Sequence, residues 1–247
     1  MRYFLELSYN GKAYHGWQNQ PNAITVQEVL ENALSTLLRT TIEIVGAGRT
    51  DTGVHALQMF AHFDCSSKLD IAQLKYNLNS FLPKDIAIQN IFEVKKDAHA
   101  RFDAISRTYL YRICTEKDAF NFDKVYYINN DLHIDKMNEA SKILFEYNNF
   151  ECFSKTNTDV KTFNCKIIKA EWVKKNNELH FTIEADRFLR NMVRAIVGTL
   201  IRVGTGKLEI EDMHTIIKSK NRSKAGYSVP AHGLYLSKIE YPEQIRL

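Results

Sequence analysis

The sequence is short of the residues that mark specialised protein classes. Four prolines and ten glycines among 247 residues exclude collagen-like and linker-like chains. Only four cysteines are present, Cys65, Cys114, Cys152 and Cys165. They are scattered, with no Cys-x-x-Cys pair, which points to ordinary reduced thiols rather than a disulfide framework or a zinc site. Long hydrophobic runs are also missing. The charge-free apolar stretch 195–201 is far below the ~20 residues that a membrane span needs. The opening Met1-Arg2-Tyr3-Phe4-Leu5-Glu6 lacks the apolar core of a signal peptide. A cytoplasmic protein with no membrane association is expected. The eight histidines show no metal-ligand spacing with cysteine or carboxylate, so no metal is expected either.

What is present is a globular composition: 45% hydrophobic, 25% charged and 11% aromatic. The length suits one large domain or two of ordinary size. The net charge of +4 is unevenly spread. Residues 1–103 carry 10 basic and 11 acidic side chains, and residues 104–247 carry 23 and 18. The basic excess of the second part is compatible with a polyanion partner.

Periodicity gives the element order. Residues 2–9 read as a strand, with Tyr3, Leu5, Leu7 and Tyr9 on one face. Thr25 and Glu28 form a capping box before a helix carrying Val26, Val29, Leu30, Ala33, Leu34, Leu37 and Leu38. Strands are predicted at 41–47 and 58–64. A helix opens after Asp70, with Ile71, Leu74, Leu78 and Phe81 on one stripe, and stops at Pro83. Residues 86–94 are the next strand. The second part repeats the order: a strand at 106–114, a helix capped by Asp135, a hairpin of 165–173 and 179–185, a strong helix at 189–203, a short added helix at 209–219 and a closing strand at 234–241. Two β-α-β-β-α-β halves predict an α+β protein of two ferredoxin-like units, 1–103 and 104–247, with a largely antiparallel sheet flanked by helices. The same architecture builds RNA-binding modules, which brings RNA in by fold analogy.

The densest polar segment is Gly46-Ala47-Gly48-Arg49-Thr50-Asp51-Thr52-Gly53-Val54-His55-Ala56. Its glycines permit positive φ and close approach of the backbone to a ligand, and loops on rigid scaffolds often carry sites. A dinucleotide-binding loop needs G-x-G-x-x-G running into a helix. Here Asp51 stands at the sixth position and a strand follows, so that reading fails. Asp51-Thr52-Gly53 is also the triplet of aspartic proteases, which share one proton between two carboxylates. The chain has one such triplet, and the guanidinium of Arg49 two residues earlier favours an ionised Asp51. A two-carboxylate glycosidase needs a defined partner for Asp51, and neither Asp103 nor Asp186 is singled out. There remains a nucleophilic or basic aspartate on an RNA-binding surface.

The 46–56 segment resembles the signature of TruA-type tRNA pseudouridine synthases, and the resemblance runs the length of the chain. Arg101-Phe102-Asp103-Ala104-Ile105-Ser106-Arg107-Thr108-Tyr109-Leu110-Tyr111 resembles a second motif of that family. Phe188-Leu189-Arg190-Asn191-Met192-Val193-Arg194 with Gly198, Val203 and Gly204 resembles a third, and Ala231-His232-Gly233-Leu234-Tyr235-Leu236 the last. The opening Tyr9-Asn10-Gly11, Tyr14 and Gly16-Trp17-Gln18 fits as well. One departure is Thr52, where the family usually has Ala.

The resemblance implies the pseudouridine-synthase fold, a homodimer, no cofactor and no metal. The implied activity is conversion of uridines at positions 38, 39 and 40 of the tRNA anticodon stem-loop to pseudouridine. It assigns Asp51 as nucleophile, Arg194 as its partner, Tyr109 to the target uracil and Arg49 to the RNA. On pattern alone Tyr109 shares a strand face with Tyr111 and Ile113 and reads as a core aromatic. On a helical wheel Arg187, Arg190 and Arg194 fall within a roughly 60° arc, if Arg187 is counted as the helix start. Three arginines without lysine suit bidentate phosphate or carboxylate contact, so Arg187 and Arg190 are candidate RNA-binding residues. Gly198 beside that arc clears space for a backbone or ligand.

Overall fold

The computed structural model describes residues 1–156 and 160–247. The chain forms two compact units, Met1–Ile105 with Tyr235–Leu247, and Ser106–Leu234. Each is an α+β arrangement with a mostly antiparallel sheet and flanking helices.

The first unit runs β1 (Arg2–Tyr9), α1 (Val26–Leu38), β2 (Val45–Gly46), β3 (His55–Asp64), α2 (Ile71–Phe81) and β4 (Ile86–Val94). This is the expected β-α-β-β-α-β order, and β1 pairs antiparallel with both β3 and β4. Both helices start where the sequence signals place them. The Thr25 side chain accepts from Glu28 N at 3.2 Å, and the Asp70 side chain accepts from Gln73 N at 3.0 Å, so each cap satisfies an amide that the first turn leaves unpaired. β1 is buried on both faces, with Tyr3, Phe4 and Leu5 inaccessible. An aromatic cluster of Phe4, Phe60, Phe92 and Tyr241 forms part of this core.

The strand expected at 41–47 is only two residues long. Ile42 and Ile44 are buried and alternate with exposed Thr41, Glu43 and Val45, so the pattern is strand-like. The backbone bonds go elsewhere. Ile42 N donates to Ser35 Oγ (2.9 Å), Ile44 N donates to Glu31 Oε1 (3.0 Å), and the Gln27 amide donates to Ile44 O (3.1 Å). Polar side chains of α1 thus replace a strand partner.

The second unit contains β5 (Ser106–Cys114), β6 (Tyr126–Tyr127), α3 (Ile134–Lys142), β7 (Ile167–Lys175), β8 (Glu178–Ala185), α4 (Met192–Gly204) and α5 (Asp212–Ser219). β8 lies between β5 and β7 and is antiparallel to both. The β7–β8 hairpin closes on Asn176-Asn177, with Asn176 at φ 55°. Asp135 does not cap α3. The N-cap is His133, without a side-chain cap bond, and Asp135 lies in the first turn. α3 is tied instead to β7, where the Asn138 amide exchanges two hydrogen bonds with the Trp172 backbone.

The final strand, β9 (Leu234–Glu240), was expected to close the second half. Residues from Tyr235 onward belong to the first unit, because Tyr235 and Leu236 pair parallel with His55 and Ala56 of β3. Ile105 N also donates to Glu240 O at 2.8 Å, and Ile239 N donates to Gln58 Oε1 at 2.9 Å. One edge of β3 therefore serves β9 near its start and β2 near its end. All four cysteines are buried and unpaired. Burial pushes the Cys152 and Cys165 thiols up to about 12, which leaves no reactive thiolate there. Among the described residues no helix is long and apolar enough to cross a membrane.

Candidate active site

In the first unit the glycine-rich segment becomes a loop between β2 and β3, and the opening segment of the chain braces it. Thr50 is 7% exposed. Its hydroxyl lies 2.8 Å from the Tyr9 hydroxyl, and its carbonyl accepts from Trp17 N at 3.2 Å. Gly53 N donates to Tyr14 O at 3.4 Å, and Val54 N donates back to Asp51 O at 3.1 Å. Asp51 is half-buried, while Arg49 and Thr52 are exposed.

The glycines of the bracing segment permit this packing. A Cβ on Gly11 would stand 2.0 Å from Val54 O, and one on Gly16, at φ +90°, would stand 2.4 Å from Thr50 O. Neither position accepts a side chain while the loop stays where it is. His55 closes the arrangement. It is buried, its Nδ1 accepts from Gly11 N at 3.0 Å, and its ring stacks on Tyr235 at 4.7 Å. An Nδ1 that accepts is unprotonated, so a neutral ring carries its proton on Nε2. Tyr14, whose hydroxyl donates to Asp85 Oδ1 at 2.7 Å, is held well above its ordinary pKa by burial and then by that carboxylate.

In the second unit Tyr109 sits on β5 opposite Ile183 of β8. Tyr111 is fully buried and donates to Pro230 O at 2.8 Å, but Tyr109 is only half-buried. Its ring meets Phe188 edge-on at 5.1 Å. The core reading thus applies to Tyr111, whereas the Tyr109 ring keeps part of its surface accessible.

The basic helix is shorter than its periodicity suggests. α4 begins at Met192, after Asn191 at φ 67°. Arg187 and Arg190 precede it, so the shared arc on a helical wheel does not exist for them. The left-handed Asn191 breaks the register, and its side chain donates to Ser228 Oγ at 2.7 Å. Arg187 is half-buried and donates to Thr162 O at 3.3 Å, and Arg190 is exposed. Arg194 is on α4, where its Nε donates to Val229 O at 2.6 Å and its own carbonyl accepts from Val229 N at 3.3 Å.

Gly198 does clear space for a backbone. A Cβ there would stand 1.9 Å from Tyr227 O. The 222–230 segment is pinned across α4 in this way, with Gly226 N donating to Thr199 Oγ1 at 2.8 Å, and Arg222 steadies the segment itself by donating to Gly226 O and Ser228 Oγ, each at 2.9 Å. His232, near Arg194, is pushed down by burial, and the Arg194 charge pushes in the same direction.

Asp51 and Arg49 belong to the first unit, and Tyr109, Arg187, Arg190 and Arg194 to the second. Asp103 and Asp186 act locally. Asp103 accepts from His99 N, and Asp186 accepts from the amides of Lys166 and Arg187. Sequence reasoning gave no role to Tyr9, Trp17, Ser228 or Val229. For Tyr9 and Trp17 the available signal was the motif match of the opening segment. Among the described residues no group of three or more His, Cys, Asp or Glu side chains is placed to hold a metal ion.

Comparison with known proteins gives one consistent result. A family described as tRNA pseudouridine synthase matches residues 7–103 and 144–242. The chain is 54% identical over 245 residues to the tRNA pseudouridine synthase A of Parabacteroides distasonis, covering 99% of this chain and 97% of that protein. The Bacteroides fragilis protein of the same name is 54% identical over 246 residues, with 99% and 98% covered. That of Thermoanaerobacter sp. is 41% identical over 240 residues, with 96% and 98% covered.

Proposed function

The chain belongs to the tRNA pseudouridine synthase family, and from that premise we propose that it isomerises uridine to pseudouridine at positions 38, 39 and 40 of the tRNA anticodon stem-loop, with Asp51 as nucleophile. The observation that carries this reading is the placement of Asp51. It directly follows a buried threonine in a loop that Tyr9, Tyr14 and Trp17 of the opening segment bond and against which Gly11 and Gly16 pack.

The reaction breaks the N1–C1′ glycosidic bond, turns the uracil and forms a C5–C1′ bond. The Asp51 carboxylate either attacks the sugar covalently or abstracts a ribose proton to leave a glycal-like intermediate. Both routes need one ionised carboxylate where water is kept off the intermediate. In this reading Arg194 pairs with Asp51 and Tyr109 faces the uracil as it turns, while Arg49, Arg187 and Arg190 contact the RNA. The half-accessible Tyr109 ring, steadied by Phe188, supports its part. The fixed Arg194 guanidinium supports its own. Reactant and product are isomers, so the proposal includes no redox cofactor or energy donor. It also includes a homodimer acting in the cytoplasm.

The test is incubation of the purified protein with an unmodified tRNA transcript, followed by nucleoside analysis. Pseudouridine is expected at the three positions. Asp51→Asn keeps the shape but is a poor nucleophile and base. It should abolish turnover, by at least about 10³-fold, and leave tRNA affinity within a few-fold. Substantial product from Asp51→Asn removes Asp51 from the mechanism. RNA binding with no isomerised product from the unaltered protein would make it a binding module.

A further inference from the structure

The geometry points to Tyr9 as a positioning residue for the nucleophile loop, acting through the hydroxyl of Thr50. This rests on Asp51 being the nucleophile and adds the device that aims it.

Three observations converge on Thr50, the residue before Asp51. Its hydroxyl and that of Tyr9 form a buried pair 2.8 Å apart. Its carbonyl is fixed by Trp17 N. The absence of a Cβ on Gly16 lets the bracing segment lie against that same carbonyl. The peptide leading into Asp51 is therefore held through side chain and backbone together. Thr50 transmits this well, because β-branching leaves its side chain few rotamers. A fixed hydroxyl then fixes the backbone next to the carboxylate.

The strands paired with β1 are irregular close to Tyr9. The pairing of β1 with β3 shifts register between Leu7 and Tyr9, and its pairing with β4 shifts between Glu6 and Leu7. Each shift places one extra residue on the partner strand, and such irregularities are over-represented beside active sites. The Tyr9 ring lies 6.1 Å from that of Trp17, so it is also held from the bracing segment. What the hydroxyl pair supplies is direction.

The experiment compares Tyr9→Phe, Thr50→Val, Thr50→Ser and the Tyr9→Phe/Thr50→Val double variant. Single-turnover rate at saturating tRNA, tRNA Kd and thermal midpoint are measured for each. Tyr9→Phe and Thr50→Val should each lower the rate about 10- to 100-fold, the scale of a small misplacement of a reacting group. Kd should stay within a few-fold and the midpoint within a few degrees. Thr50→Ser keeps the hydroxyl and should return to within a few-fold of the unaltered rate. The double variant should be no slower than the slower single variant, since both act through one bond.

A Tyr9→Phe protein with an unaltered rate overturns the inference. So does a Thr50→Ser protein as slow as Thr50→Val, or a rate loss that tracks loss of affinity and melting. If Tyr9→Phe is too poorly folded to assay, the Val and Ser variants of Thr50 decide alone. Asp51→Asn separates the two levels. Its inactivity together with an unaltered Tyr9→Phe rate sinks only the positioning role, and its activity sinks the reading of Asp51 itself.

Discussion

The Asp51 loop of the first unit and the start of α4 in the second are braced in different ways. Each must hold one charged side chain steady on irregular backbone. Around Asp51 the fixing runs through the backbone on either side, with Thr50, Gly53 and Val54 bonded while Gly11 and Gly16 allow contact. The brace comes from residues 9–17, far earlier in the chain. Around Arg194 the side chain is itself bonded, Nε to Val229 O, and the brace is the later 222–230 segment. If Asp51 acts as proposed above, backbone fixed on both sides of it aims its carboxylate. A guanidinium has five N–H donors, so one can anchor it and leave others to pair with an anion.

The comparison breaks most visibly at the glycines. Gly11→Ala forces a Cβ to within 2.0 Å of Val54 O, and Gly198→Ala forces one to within 1.9 Å of Tyr227 O. The first should lower the single-turnover rate about 100-fold by moving the loop. The second should act on stability, by about 1–3 kcal/mol, and lower the thermal midpoint by several degrees. Rate and melting measured on both variants check this. Equal rate losses with unaltered melting would show that the two braces do the same job.

A smaller effect separates the arginines. If Arg194 pairs with Asp51 as proposed, Arg194→Ala should lower the saturated single-turnover rate at least about tenfold, because the carboxylate loses the partner that positions it. Arg190→Ala should leave that rate largely intact and weaken binding, with the salt dependence shallower by about one unit or less. Single-turnover kinetics at two salt concentrations distinguish them. An Arg194→Ala defect confined to binding would remove the Asp51–Arg194 pair.

The smallest effect is a pH dependence of the first unit. His62 is buried, its Nδ1 accepts from Ala100 N at 3.1 Å, and burial, Arg2 and His99 push its pKa down to about 4. The folded chain thus keeps His62 neutral where the unfolded chain takes up a proton. This contribution to stability is complete above about pH 6.5 and is lost as pH falls toward 4, by about 1–2 kcal/mol between pH 7 and 5. His62→Gln, which cannot titrate, should show a shallower fall of thermal midpoint over that interval. An unchanged slope would move the acid sensitivity elsewhere.

Much of the fold was legible in the sequence because its signals are local. The caps at Thr25 and Asp70, the stripe on α2 and the β7–β8 hairpin each depend on residues a few positions apart. The errors have non-local causes. Residues 41–44 carry a strand pattern, but Glu31, Ser35 and Gln27 take their backbone bonds. The apolar register of α4 extends back to Leu189, but Asn191 turns left-handed and bonds Ser228, 37 positions away. The wheel placing Arg187 and Arg190 beside Arg194 failed for that reason.

The sequence by itself determined the element order, the loop that holds Asp51 and the family, because periodicity, capping and motif spacing are properties of neighbouring residues. Only the tertiary structure decided which residues hold that loop and that helix. It showed Thr50 gripped by Tyr9 and Trp17, Gly198 pressed to Tyr227, and the last strand returned to β3 of the first unit. Those contacts join positions from about 30 to about 180 apart in the chain, and no local pattern encodes which distant backbone will satisfy a given donor or fill the space beside a glycine.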